Sequence, residues 1–93
     1  MPIFNGTTSN DLLIGSDQGD LIRGGLGEDT LNGLAGNDTI EGGQGNDTLD
    51  GGDDNDFIEG GQGDDLLAGG NGNDTLRGGA GNDIIRGDLN EAN

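Results

Sequence analysis

The chain contains no cysteine, histidine, tryptophan or tyrosine, and its only basic residues are Arg23, Arg77 and Arg86. Without cysteine and histidine there is no disulfide, no zinc site of the common ligand sets, no thiol nucleophile and no imidazole general base. Three arginines cannot build the clustered positive surface that phosphate contacts require, which argues against nucleic acid and anionic membrane as partners. The longest apolar run is three residues, as at Leu12 to Ile14, far short of a membrane-spanning helix. The opening MPIFNGTTSND has neither a positive n-region nor an apolar h-region, so it does not read as a secretory signal peptide.

What is present is glycine and acid. Among 93 residues there are 23 glycines and 19 acidic residues, giving a net charge of -16. Taken alone, that composition belongs to a disordered chain, because too little apolar area exists to offset chain entropy. Cations are the obvious partners. The order of the residues changes the reading. Glycine recurs every nine residues from Gly6 to Gly78, and so does an aspartate: Asp11, Asp20, Asp29, Asp38, Asp47, Asp56, Asp65, Asp74 and Asp83. A large aliphatic keeps the same step at Leu13, Ile22, Leu31, Ile40, Leu49, Ile58, Leu67, Leu76 and Ile85. Low-complexity sequence has no reason to hold three residue types in one phase, so nine repeat units cover residues 6–86.

The unit G-G-x-G-x-D-x-U-x, with U aliphatic, resembles the calcium-binding nonapeptide of the RTX (repeats-in-toxin) family. The resemblance implies an all-β fold: a right-handed parallel β-roll, a solenoid of two short-stranded parallel sheets with two nonapeptide units per coil. The residues suit it. Nine positions hold a six-residue turn and a three-residue strand x-U-x, in which U points inward and its neighbours outward. Glycine at positions two and four fits a turn that needs positive φ or close approach to an ion. The opening units, GTTSNDLLI and GSDQGDLIR, replace glycine at those positions and read as degenerate lead-in units. One aliphatic per strand makes a thin core, so a further stabilising contribution such as bound metal is expected.

Calcium takes six to eight oxygen ligands, both carboxylates and main-chain carbonyls. With two units per coil, Asp11, Asp29, Asp47, Asp65 and Asp83 fall on one edge and Asp20, Asp38, Asp56 and Asp74 on the other. An ion between adjacent turns would receive aspartates 18 residues apart in sequence. The resemblance implies that carbonyls of the glycine-rich turns complete the shell. The candidates are Gly24, Gly25, Gly27, Gly33, Gly36, Gly42, Gly43, Gly45, Gly51, Gly52, Gly60, Gly61, Gly63, Gly69, Gly70, Gly72, Gly78, Gly79 and Gly81. Seven gaps between turns call for about seven Ca2+ ions, which would take the charge from -16 to near -2. Leu34 and Asp54 replace glycines on the even edge, so the odd edge is expected to fill first. Glu28, Asp53 and Asp64 fall off the ligand position and read as solvated surface charge.

Other motifs carry less. The NGT and NDT triplets match a glycosylation acceptor but arise from the repeat itself, and neither an EF-hand loop nor a phosphate loop is present. An enzyme is not indicated, since no nucleophile–base pair or cavity emerges. Ice binding needs a regular threonine and asparagine row, whereas position three varies through Thr8, Asp17, Leu26, Ala35 and Gln44. The alternative to a calcium-folded module is a structural or surface-binding solenoid such as an adhesin spacer.

Residues 1–5 read as a lead-in or cap, with Met1, Ile3 and Phe4 over the N-terminal end, and residues 87–93 as a degenerate tail. Ala92 stands where the next aspartate belongs, and Leu89 is the one apolar residue able to protect the C-terminal end. Leu66, Ala68 and Ile84 suggest an outward apolar patch for a neighbouring domain or end-to-end self-association. The resemblance implies an extracellular bacterial protein exported by type I secretion. Only seven residues follow the ninth unit, too few for the usual C-terminal secretion segment, so the chain reads as a fragment or engineered array.

Overall fold

The computed structural model describes residues 2–87, so the expectations for Met1, Leu89 and Ala92 lie outside the described residues. Ten three-residue strands alternate with glycine-rich turns: β1 (Ile3–Asn5), β2 (Leu12–Ile14), β3 (Leu21–Arg23), β4 (Thr30–Asn32) and β5 (Thr39–Glu41) come first. They are followed by β6 (Thr48–Asp50), β7 (Phe57–Glu59), β8 (Leu66–Ala68), β9 (Thr75–Arg77) and β10 (Ile84–Arg86). Strands β2 to β10 are the x-U-x segments of the nine units. Among the described residues no helix is long and apolar enough to cross a membrane.

Consecutive strands belong to different sheets. The odd strands form one parallel sheet, in the order β1-β3-β5-β7-β9, and the even strands the other, β10-β8-β6-β4-β2. Parallel neighbours cannot be joined by a tight turn, and here the connection runs through the opposite sheet. Pairing is in register one coil apart, as where Thr48 faces Leu66, Leu49 faces Leu67 and Asp50 faces Ala68. The product is a β-solenoid of about five turns, as the repeat phase requires.

The alternation within each strand sends U between the sheets. Ile22, Leu31, Ile40, Leu49, Ile58 and Leu67 are fully buried and form the core, with Leu13 and Leu76 packed against it at the ends. Ile85, the last rung, stays 48% exposed because no described coil follows it. At the other end Phe4 also packs against the core, and β1 pairs with β3 so that Phe4 faces Ile22. Residues 3–5 form a strand, and Phe4 covers the N-terminal end of the core as expected, whereas Ile3 points outward and is 61% exposed. Phe4 stands nine residues before Leu13, in phase, but no glycine-rich turn precedes it.

The expected apolar patch is smaller than the sequence suggests. Ile84 is exposed and Leu66 half-buried, but Ala68 is fully buried. Its in-register neighbours are Asp50 and Arg86, and a methyl group that short is covered between longer side chains.

Candidate metal centre

The turns take their shape from positions two and four. Gly25, Gly43, Gly52, Gly61, Gly70 and Gly79 at position two have positive φ, as do Gly27, Gly36, Gly45, Gly63, Gly72 and Gly81 at position four. Two non-glycine residues hold the same conformation, Leu34 at φ 68° and Asp54 at φ 72°. A side chain at these positions also meets the coil below. A β-carbon at Gly43 would collide with the carbonyl oxygen of Gly25, and one at Gly61 with that of Gly43. At Gly43 and Gly61 glycine therefore serves close stacking through space as well as through φ.

The aspartates form two ladders. Asp11 N–H donates to Asp29 Oδ1 (2.8 Å), Asp29 to Asp47 (2.8 Å), Asp47 to Asp65 (2.8 Å) and Asp65 to Asp83 (2.9 Å). On the other edge Asp20 donates to Asp38, Asp38 to Asp56 and Asp56 to Asp74, each at 2.8 Å. The seven carboxylates from Asp29 onward are thus anchored through Oδ1 to the preceding coil, Asp11 and Asp20 start the ladders as N–H donors, and all nine predicted aspartates belong to them.

The second oxygen separates the aspartates. In Asp29, Asp38, Asp47, Asp56 and Asp65 the Oδ2 atom is buried without a hydrogen-bond partner, and these residues are only 2 or 3% exposed. A buried carboxylate oxygen left unpaired is costly, and a cation is the partner that relieves it most directly. Asp11 and Asp20 differ. Asp11 Oδ2 accepts the Thr7 N–H (2.6 Å), and the Thr7 hydroxyl donates to Oδ1 at 3.0 Å. Ser16 repeats the arrangement, with its N–H 2.7 Å from Asp20 Oδ2 and its hydroxyl 2.9 Å from Oδ1.

Burial is the main reason the same five carboxyls bind protons unusually tightly, and neighbouring aspartates add to it. Asp47 and Asp56 are raised to about 7 and Asp38 and Asp65 to about 6, while Asp29 is raised as well. The main-chain N–H bonds along the ladders oppose the shift without cancelling it.

Position-one glycines frame the unpaired oxygens. The point where a β-carbon would stand on Gly42 is 2.6 Å from Asp47 Oδ2 and 2.7 Å from the Gly60 carbonyl oxygen. At Gly24 the corresponding distances are 2.5 Å to Asp29 Oδ2 and 2.7 Å to Gly42 O; at Gly60 they are 2.5 Å to Asp65 Oδ2 and 2.8 Å to Gly78 O. Oxygens from consecutive coils thus face one small space, which only a residue without a β-carbon keeps clear. No three acidic side chains converge among the described residues, and the oxygens that stand beside each Oδ2 are main-chain carbonyls, such as those of Gly42, Gly60 and Gly78. Hard oxygen donors with one charged group per turn fit calcium. The three glycine positions are not equivalent: the position-two carbonyls of Gly25, Gly43 and Gly52 accept the N–H groups of Gln44, Gln62 and Asn71, each at 3.0 Å.

A second ladder runs along position five, where asparagine recurs at residues 10, 37, 46, 55, 73 and 82. Side-chain oxygens at position five accept main-chain N–H groups from the next coil: Asn10 from Glu28, Asn37 from Asn55, Asn46 from Asp64, Asn55 from Asn73 and Asp64 from Asn82. Asp64 is therefore a rung, and Asp53 accepts from the Asn71 amide at 3.0 Å, so neither is merely solvated charge.

The outer face of the odd sheet carries a groove of about 380 Å³ beside Glu41, Glu59 and Arg77. Its charges pair locally, Arg23 with Glu41 at 3.3 Å and Arg77 with Glu59 at 3.9 Å, while Arg77 also lies 5.5 Å from the Phe57 ring centre.

No curated protein and no solved structure matches the chain. A family model for the RTX calcium-binding nonapeptide repeat matches in four copies, over residues 5–40, 24–58, 32–67 and 59–90. With the repeat phase, the stacked coils and the buried aspartate ladders already in place, this match shows that the chain belongs to the RTX calcium-binding repeat family.

Proposed function

We propose that this calcium-binding β-roll is a folding switch, coil-like where calcium is scarce and folded where it is abundant. The observation that carries the reading is the set of five buried Oδ2 atoms without partners, each on a glycine-rich turn. A bound calcium supplies two positive charges and a preference for oxygen ligands. Asp29, Asp38, Asp47, Asp56 and Asp65 would hold it through Oδ2, with Asp74 and Asp83 closing the ladders and the position-one glycine carbonyls as the leading main-chain donors. The chain's own part is to deliver those oxygens in register, which requires the coils to be stacked. Binding and folding are therefore one equilibrium. Without cations, the net charge of -16 and the freedom of 23 glycines favour the open chain.

The all-glycine turns of Gly24, Gly42 and Gly60 support filling of the odd edge before the even edge, where Leu34 and Asp54 sit in left-handed backbone. The same charge argument supports an extracellular role within a type I-secreted protein, unfolded for export and folded in millimolar calcium, with no catalytic step of its own. Neighbouring domains of a larger protein or a second copy would meet the exposed Ile84 and Ile85.

Far-UV circular dichroism with calcium and with chelator tests the switch. The expected outcome is a cooperative change from coil to strand as calcium is added; identical spectra would overturn it.

A further inference from the structure

The gaps between turns are not chemically alike. Seven pairs of position-one glycines stand one coil apart, Gly6 with Gly24 and Gly15 with Gly33 being the first on each edge. In the other five, which begin at Gly24, Gly33, Gly42, Gly51 and Gly60, the aspartate of the turn keeps a buried Oδ2 with no partner. In the first two, Oδ2 already receives a main-chain N–H and the hydroxyl of the same residue holds Oδ1, from Thr7 and from Ser16. The hydroxyls are themselves fixed, each accepting an N–H two residues on, from Ser9 at 3.1 Å and Gln18 at 3.2 Å.

The difference traces to one position. Where later units place glycine, or in one case Leu34, at position two with positive φ, the first two units place Thr7 and Ser16, which have no positive φ. With the backbone there in its ordinary region, the position-two N–H donates to the carboxylate four residues on. The Cβ site of Gly15 still lies 2.5 Å from Asp20 Oδ2 and 2.9 Å from the Gly33 carbonyl, so the oxygens are arranged as elsewhere. What changes is that the chain supplies the donors.

We infer that Thr7 and Ser16 take the place of a cation in the first gap of each edge, so that this β-roll takes five calcium ions rather than one per gap. The inference rests on the calcium reading above and refines its count. Units that read as degenerate in sequence act as terminal caps which hold Asp11 and Asp20 without metal. A capping repeat that needs no ligand gives the array a preformed end on which the next coil can stack.

Native mass spectrometry of the whole chain over a calcium series, with equilibrium dialysis against radioactive calcium, counts the ions directly. Saturation at five supports the inference, and saturation at seven overturns it while leaving the folding switch intact. Absence of any specific calcium uptake overturns both. In the double variant Thr7→Gly and Ser16→Gly, which restores glycine at position two, the count should rise from five to seven. A variant that folds and still binds five would sink the assignment. The wild-type count decides the matter even if the variant fails to fold.

Discussion

Leu34 occupies a backbone region that a leucine enters only at a cost, with φ 68° where the neighbouring units use glycine. Left-handed backbone costs an ordinary L-residue roughly 1–2 kcal/mol, and the exposed side chain recovers little of it by burial. Leu34→Gly should therefore stabilise the calcium-loaded fold by about 1 kcal/mol, after allowing for the greater entropy of glycine in the open chain. Urea midpoints at fixed calcium would measure it. Asp54 stands at φ 72° but is partly compensated, since its carboxylate accepts the Gly36 N–H at 2.9 Å. Asp54→Gly should accordingly gain less than Leu34→Gly; an equal or larger gain would show that the hydrogen bond contributes nothing.

At the scale of the turn and strand, consecutive coils are tied by two ladders of opposite direction. Position-six aspartates accept from the coil before, and position-five residues accept from the coil after. A single such bond is worth about 1 kcal/mol net. Asp64→Ala should lose about that amount, by removing the acceptor of the Asn82 N–H. Asp64→Asn keeps an acceptor oxygen in the same place and removes one negative charge beside Asp65, whose carboxyl is already raised in part by Asp64. The amide variant should be at least as stable as wild type, measured by thermal unfolding at fixed calcium. This ladder was legible only in part, because the asparagine recurrence is visible in the sequence while the partner of each N–H depends on how the coils stack.

For the whole molecule, the surplus of negative charge governs behaviour without calcium. The folded carboxyls of Asp38, Asp47, Asp56 and Asp65 are raised to about 6 or 7 from an ordinary value of 3.8. The folded state thus binds protons more tightly than the open chain, and stability must rise as pH falls. This contribution is fully present below the unfolded value of 3.8 and is lost as pH rises through about 6 to 7. In chelator, strand content by circular dichroism should increase between pH 7 and pH 4, the protons partly relieving what calcium relieves at neutral pH. A chelated chain that loses structure on acidification would contradict the assignment of these buried carboxyls.

Much of this protein was already decided by its sequence. A nine-residue phase shared by glycine, aspartate and an aliphatic set the turn and the short strand with one inward side chain, and it put the aspartates in rows. The two-sheet roll with two units per coil came from the resemblance of that unit to the RTX nonapeptide. Stacking decided the rest. Phe4 became a rung because β3 was there to pair with β1, and Ala68 was covered because Asp50 and Arg86 lie beside it. Thr7 and Ser16 looked like lapses in the repeat, yet their donors reach the carboxylates four residues on. Such outcomes depend on which donor and acceptor share a buried space, and residues one coil apart share that space only once the chain is wound.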